Sequence, residues 1–144
     1  MKISTRGRYA LRVMLDLAIH NTGACISLKE IAARQEISEK YLEQIIPALS
    51  KGGFVKSTRG SRGGYMLAGD PADYTVGMIV RQLEGELSPA SCAEDSECCG
   101  RADQCVTIEV WQKIKEAVDG VVDHITLDQL VERYHAKTEG DYSI

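Results

Sequence analysis

The sequence predicts a mainly α-helical chain with one small β-hairpin, arranged as a winged helix-turn-helix and continued by a long C-terminal helix suited to dimerisation. Three observations carry this expectation. Between residues 5 and 51, two short helical segments with side-chain caps follow a longer amphipathic one. A glycine- and arginine-rich tip, Arg59-Gly60-Ser61-Arg62-Gly63-Gly64, joins two short strand-like runs. Residues 106–122 carry an apolar face wider than one small domain needs to bury.

Residues 5–20 have helical periodicity, with Tyr9, Val13, Leu17 and His20 on one side and Leu11, Met14, Leu15 and Ala18 widening the face. Arg6, Arg8 and Arg12 gather near the start, where phosphate or solvent would suit them. His20 reads as an end cap, and Asn21-Thr22-Gly23 stops the helix. Ser27-Leu28-Lys29-Glu30 is a capping box: the serine accepts from the Glu30 N–H while the glutamate reaches back. It opens a short helix through about Arg34, packed by Leu28, Ile31 and Ala32. Ser38 then caps a helix to about Lys51, with Tyr41, Leu42, Ile45, Ile46 and Leu49 inward. Glu39, Lys40, Glu43 and Gln44 face outward, and Pro47 removes the hydrogen bond to the Glu43 carbonyl, so a kink is expected. In helix-turn-helix geometry this second short helix enters the major groove of DNA.

Gly52-Gly53 ends that helix, residues 54–58 read as a strand, and residues 65–68 return. Two arginines on a glycine-rich tip suit a narrow minor groove. A phosphate-cradling loop is the rival, but no GK[ST] follows. After the turn Asp70-Pro71-Ala72-Asp73, Thr75 caps a helix with Val76, Ile79, Val80 and Leu83 inward, ending near Gly85. Pro89 leads into a loop that holds Cys92, Cys98, Cys99 and Cys105 among small, polar or acidic residues and has no core of its own to fold around. A long loop with four thiols suggests ligation. In the helix over 106–122, Val106, Val110, Ala117 and Val121 form one stripe beside Trp111, Ile114, Val118 and Val122. So wide a face implies a partner helix from a second subunit; complete burial within the domain is the alternative. Thr126-Leu127-Asp128-Gln129 is a second capping box, opening a last helix packed by Leu127, Leu130, Val131 and Tyr134, and the polar tail from Ala136 is expected to fray. The organisation expected is therefore a winged helix-turn-helix over 1–85, a cysteine loop over 86–105, dimerisation and terminal helices over 106–137, and a flexible tail over 138–144.

A chain of 144 residues allows one domain, or a small domain with an appendage. No apolar run approaches the roughly 20 residues a membrane helix needs, and no signal-peptide pattern opens the chain, so a cytoplasmic location is expected. In a reducing compartment five cysteines read as ligands, sensors or buried thiols rather than a disulfide framework. Cys25 stands alone and reads as a small, partly buried residue. The net charge of −4 is unevenly spread. Residues 1–65 hold 11 Lys or Arg against 5 Asp or Glu, and residues 66–144 hold 6 against 16. A basic N-terminal half is the footprint of phosphate binding. Catalysis finds no nucleophile–base pair, telling carboxylate pair or cofactor fingerprint.

The start K-I-S-T-R-G-R-Y-A, the run Y-L-E-Q at 41–44, the tip R-G-S-R-G-G-Y at 59–65 and I-T-L-D-Q-L at 125–130 together resemble the Rrf-two family of winged-helix transcription regulators, over about residues 1–135. With the cysteine loop and the Trp111 helix added, the chain is most similar to the IscR-type members. The resemblance implies a 2Fe-2S cluster as cofactor, control of iron–sulfur cluster assembly genes, and a homodimer reading a partly palindromic double-stranded DNA operator. CymR-type repressors of sulfur metabolism and NsrR-type nitric oxide sensors are alternatives within the same family, and a cluster carrier that ignores DNA is one outside it.

The resemblance also implies DNA contacts from Tyr41, Glu43, Gln44 and Arg59. The neighbouring Arg8, Ser38, Lys40, Ser61, Arg62 and Gly64 complete the candidate interface. Gln44 can present donor and acceptor together to adenine, and Glu43 can accept from cytosine N4 and reject operators lacking it; an exposed pair with Lys40 is the plainer reading of Glu43. Arg59 fits a minor groove or a phosphate. The IscR-type ligand pattern is C-x5-C-x5-C with a histidine three residues on. Cys92–Cys98 fits the first gap and Cys99–Cys105 the second, so Cys98 and Cys99 compete for the middle position or both bind. The histidine position is Ile108, which leaves the fourth ligand to the second central cysteine, Glu109, the other subunit or a small thiol. Zinc and metal-free redox thiols are the rival readings; the paired C-x2-4-C spacing usual for zinc is missing.

Overall fold

Helix α1 (Thr5–Ile19) is the element the others pack around. Ser4 caps it by accepting from the Gly7 N–H at 3.1 Å, and Ala10, Val13, Met14 and Leu17 are completely or almost completely buried. The computed structural model of the chain describes residues 1–140. Against α1 lie α2 (Leu28–Gln35), α3 (Glu39–Lys51), α4 (Val76–Glu84) and α7 (Leu127–Gly140). Strands β1 (Val55–Thr58) and β2 (Gly64–Leu67) pair antiparallel, with Val55 opposite Leu67 and Thr58 opposite Gly64. The expected mainly helical winged helix-turn-helix is therefore the fold observed.

The caps formed as the residue types dictate, with one difference. Ser27 accepts from the Glu30 N–H at 3.2 Å and Ser38 from the Tyr41 N–H at 3.1 Å. Of the two expected capping boxes, however, each makes one half. The Glu30 side chain is exposed and makes no return bond, whereas Gln129 Oε1 accepts from the Thr126 N–H at 3.1 Å while the Thr126 hydroxyl donates to Asp128. The tight turn between α2 and α3 places Glu36 in the left-handed region, with φ 54° and its N–H on the Ala32 carbonyl. That turn seats Ile37 in the core and sets the angle between the two short helices.

Two backbone bridges tie distant segments together. Ile26 and Tyr65 exchange two N–H···O bonds of 2.8 Å, which adds a third, one-residue edge to the hairpin. Gly64 is required there, because a Cβ at its φ of +151° would collide with the Ile26 carbonyl. At the other end, Val76 N–H donates to the Ile125 carbonyl (2.9 Å) and Leu127 N–H to the Tyr74 carbonyl (2.8 Å). This pair anchors α7, through the fully buried Leu127, beside the start of α4.

Beyond α4 the chain leaves the core. Its expected long loop is a string of single turns: α5 (Ser91–Glu94) and 3-10 turns at Ser96–Cys98 and Ala102–Gln104. Helix α6 runs Ile108–Val122, starting later than the sequence pattern predicts, because Cys105 is extended and Val106 stands outside the helix, 75% exposed. The fraying expected from Ala136 is also corrected: α7 continues to Gly140, helped by helix-forming Ala136, Lys137 and Glu139. Residues 141–144 of the expected tail lie outside the described residues.

One buried charge holds the helical frame. The Asp16 carboxylate, 2% exposed, accepts from Arg34 Nε (2.9 Å) and Nη2 (2.8 Å) and from Gln35 Nε2 (3.0 Å). Arg34→Ala leaves that carboxylate buried with Gln35 as its remaining side-chain partner. The expected loss is about 2–4 kcal/mol in urea unfolding at unchanged m-value, against about 1–2 kcal/mol for Asp16→Asn, which removes the charge itself.

Candidate nucleic-acid interface and cysteine loop

Helix α3 buries Leu42, Ile45, Ile46 and Leu49 and half-buries Tyr41, which turns Glu39, Lys40, Glu43 and Gln44 outward together. This is the helical consequence of apolar positions spaced three and four apart. The Tyr41 ring meets Tyr9 edge-on, with centroids 5.6 Å apart and planes at 79°, and the Arg12 guanidinium lies over the Tyr9 ring, 5.2 Å from its centroid. Arg12 also donates from Nε to Gln35 Oε1 at 3.1 Å and from Nη2 to the Gln35 carbonyl. Arg12 thus braces α1 against α2, while Arg6 and Arg8 remain exposed and Arg8 donates to Thr5 Oγ1 at 3.0 Å. Among the described residues neither Glu43 nor Lys40 makes an ion pair, so the exposed Glu43–Lys40 pair is not formed.

The hairpin tip presents Arg59, Ser61 and Arg62 to solvent. Gly60, at φ +111°, accepts from the Gly63 N–H at 3.0 Å and so closes the tip. Gly64 is half-buried against Ile26 and Ser38 uses its hydroxyl as the α3 cap, so both shape the surface as well as belonging to it. Cys25 is half-buried beside the hairpin, its Sγ 3.4 Å from Thr58 Oγ1. The sequence reading missed the Tyr9–Tyr41–Arg12 brace and the Ile26 bridge. A tyrosine on α1 in register with α3 was the signal for the first; an isolated bridge leaves none.

The cysteine loop is anchored at its two ends by Leu87 and Ile108, 2% and 5% exposed, and is otherwise polar. Cys92, Cys99 and Cys105 are half-buried, Cys98 is exposed, and all are free thiols. Cys105 Sγ lies 3.2 Å from Thr107 Oγ1; that hydrogen bond, the backbone of Ile108 and the charge of Arg101 hold its thiol below the ordinary thiol range. The donor set fits an iron–sulfur cluster by chemistry, since thiolates are its usual ligands. Among the described residues, however, no three His, Cys, Asp or Glu side chains converge at metal-binding distance, so ligation requires the loop to close. Ile108, which stands where the IscR-type pattern has its histidine, is buried.

Residues 3–133 match Rrf2, described as iron-dependent transcriptional regulators. The chain belongs to the Rrf2 family. It is 45% identical to the HTH-type regulator CymR of Bacillus subtilis over 90% of this chain and 89% of that protein, and 37% identical to IscR of Serratia proteamaculans over 91% and 79%. The structure of B. subtilis CymR, the global cysteine regulator, superposes with a TM-score of 0.77 at 42% identity over 92% of this chain and 98% of that one. T. potens IscR superposes at 0.75 with 43% identity over 93% and 88%. This Rrf2 protein is thus a winged-helix, DNA-binding transcription regulator and not an enzyme. No helix among the described residues is long and apolar enough to cross a membrane.

The Cys105 environment makes a measurable difference. In metal-free, reduced protein, alkylation of Cys105 followed by peptide mass spectrometry is expected to reach half its limiting rate at a lower pH than an unperturbed thiol peptide does, because the thiolate is the nucleophile. Thr107→Val removes the main stabilising contact and should move that midpoint upward.

Proposed function

We propose that this regulator acts in the cytoplasm as a homodimer that reads a partly palindromic operator and senses iron–sulfur status through a 2Fe-2S cluster on Cys92, Cys98, Cys99 and Cys105, controlling iron–sulfur assembly genes. The observation that carries the sensor reading is position. Four free thiols occupy a stretch with buried anchors only at its ends, between the DNA-reading domain and α6. Drawn together, these cysteines would fix the path from Leu87 to Ile108 and with it the start of α6. A bound cluster supplies a redox-active, oxidant-labile centre. With Ile108 in the core, the paired Cys98–Cys99 is the natural source of the fourth ligand.

The dimer reading rests on exposed apolar surface. Val110, Trp111, Ile114 and Val121 of α6 are each more than a third exposed, which argues against the alternative of a helix buried within its own domain. A groove between α1 and α7, lined by Leu15, Leu130 and Tyr134 and edged by Arg133 and Lys137, gives a second copy a further apolar surface to cover. Within the DNA reading, Gln44 pairs with adenine, Glu43 selects cytosine, Arg59 with Ser61 and Arg62 enters the minor groove, and Arg8, Ser38, Lys40, Tyr41 and the Gly64 backbone position the protein on the duplex.

One observation favours a second reading. The four thiols do not converge, and CymR of B. subtilis, whose structure is described as the global cysteine regulator, is as similar as the IscR proteins. In that reading the chain represses sulfur metabolism on a signal from a partner protein. Anaerobic reconstitution with iron and sulfide separates the two. Visible absorption lost in a Cys92→Ser variant, with operator affinity changing between metal-free and loaded protein, supports the sensor; colourless protein binding DNA identically under both conditions supports the second reading. In the same titrations Glu43→Ala is expected to bind operators lacking the cytosine about tenfold more tightly, whereas Gln44→Ala loses about 1–3 kcal/mol at its adenine.

A further inference from the structure

Helix α6 is joined to the DNA-reading domain by two different kinds of contact. One is the backbone bridge of Tyr74–Val76 with Ile125–Leu127, just past the end of α6. There the α4 surface is a glycine: a Cβ at Gly77 would collide with Asp123 Oδ1 and Arg81 Nη1, so the missing side chain makes room for that ion pair between the two helices. The other is a group of charges. Arg81 of α4 donates from Nη1 to Asp123 Oδ1 (2.5 Å) and from Nη2 to Asp119 Oδ1 (2.6 Å) and Asp123 Oδ2 (3.1 Å). Lys115 bonds to Asp119 Oδ2 (2.7 Å) and to Glu86 Oε2 (3.4 Å), the same Glu86 oxygen that lies 3.7 Å from Arg81 Nε.

We infer that Arg81 is a positioning residue for operator choice: its fork on Asp119 and Asp123 sets the direction of α6 relative to α3, and so the half-site spacing the dimer accepts. This rests on the dimer reading above. The physical argument is that one attachment leaves a helix free to pivot, and a second, displaced along the axis, removes that freedom. Asp119 and Lys115 stand roughly 5–10 Å up the axis from the end of α6, at about 1.5 Å per residue. An apolar contact could slide at this distance, whereas a planar guanidinium spanning two carboxylates fixes both separation and angle. The Arg81 pKa is raised and the Asp119 pKa lowered, chiefly by these hydrogen bonds. The remaining support for the start of α6 comes from α5, within the cysteine loop, whose root residue Glu86 belongs to the same charge group.

The test uses the full-length dimer under reductant. A duplex is selected from a random-sequence library, and its two half-sites are then moved apart or together by single base pairs at the dyad. Wild-type protein is expected to lose about tenfold or more in affinity one or two base pairs from the preferred spacing, a loss comparable to a mismatched base pair. Arg81→Gln should stay dimeric and bind a single half-site as wild type does, while its spacing preference falls to about threefold or less. Asp119→Asn, nearly isosteric and part-exposed, should flatten the profile in the same direction and serves if Arg81→Gln does not fold. A dimeric variant with the wild-type spacing profile overturns the inference alone. Wild-type protein that sediments as a monomer removes the dimer reading, and this inference with it.

Discussion

The frame depends on a carboxylate where the sequence has an apolar face. Asp16 lies on the buried side of α1 between Val13 and Leu17, where a polar side chain without partners would be costly to bury. Arg34 grips it with two parallel hydrogen bonds and Gln35 with a third, while Arg12 closes over Gln35 from the next turn of α1. Because apolar packing by itself tolerates sliding, this directional set is what fixes the register of α2 on α1. Helix α3 inherits that register through the Glu36 turn and the buried Ile37. The outward row from Lys40 to Gln44 is therefore aimed by a bond network seated between α1 and α2.

The second half of the molecule meets the opposite problem. Its helix α6 carries apolar residues that the domain does not cover, so it cannot be held by burial within one copy. The chain joins it to α4 with backbone bridges and charges instead. Such a joint is directional, and it leaves the apolar stripe free for another use. Surface ion pairs individually contribute little, but a half-buried arginine shared by two carboxylates and backed by a lysine forms a network rather than an isolated pair.

Between these halves the cysteine loop is stabilised mostly by local turns. Single helical turns satisfy its backbone, as at Ala93 to Ala90 and Cys98 to Asp95, and only Leu87 and Ile108 bury deeply. A segment with so little burial sits at the low end of local stability, which is where switching elements are found. Its thiols are close enough in sequence to bind one metal centre together, and doing so would require the loop to rearrange.

The sequence by itself determined the elements, because each rests on local physics: serine and threonine caps, three-and-four spacing of Leu42, Ile45, Ile46 and Leu49, and glycines at a hairpin tip. It also identified the outward row of α3 and the family, since these are properties of adjacent residues. The one-sided capping boxes, the later start of α6 and the continuation of α7 to Gly140 were not legible, because ends are settled by competition among neighbouring bonds. Tertiary structure alone decided the partners of Asp16, Arg81 and Ile26, which lie 18 to 42 residues away or pair across an isolated bridge. No local pattern encodes such contacts; they exist only once the core has brought α1 beside α2, and α4 beside α6. The same physical reason explains the cysteines. Their spacing named the candidate ligands, and only the folded path of the loop decided that, among the described residues, no three of them converge on one metal site.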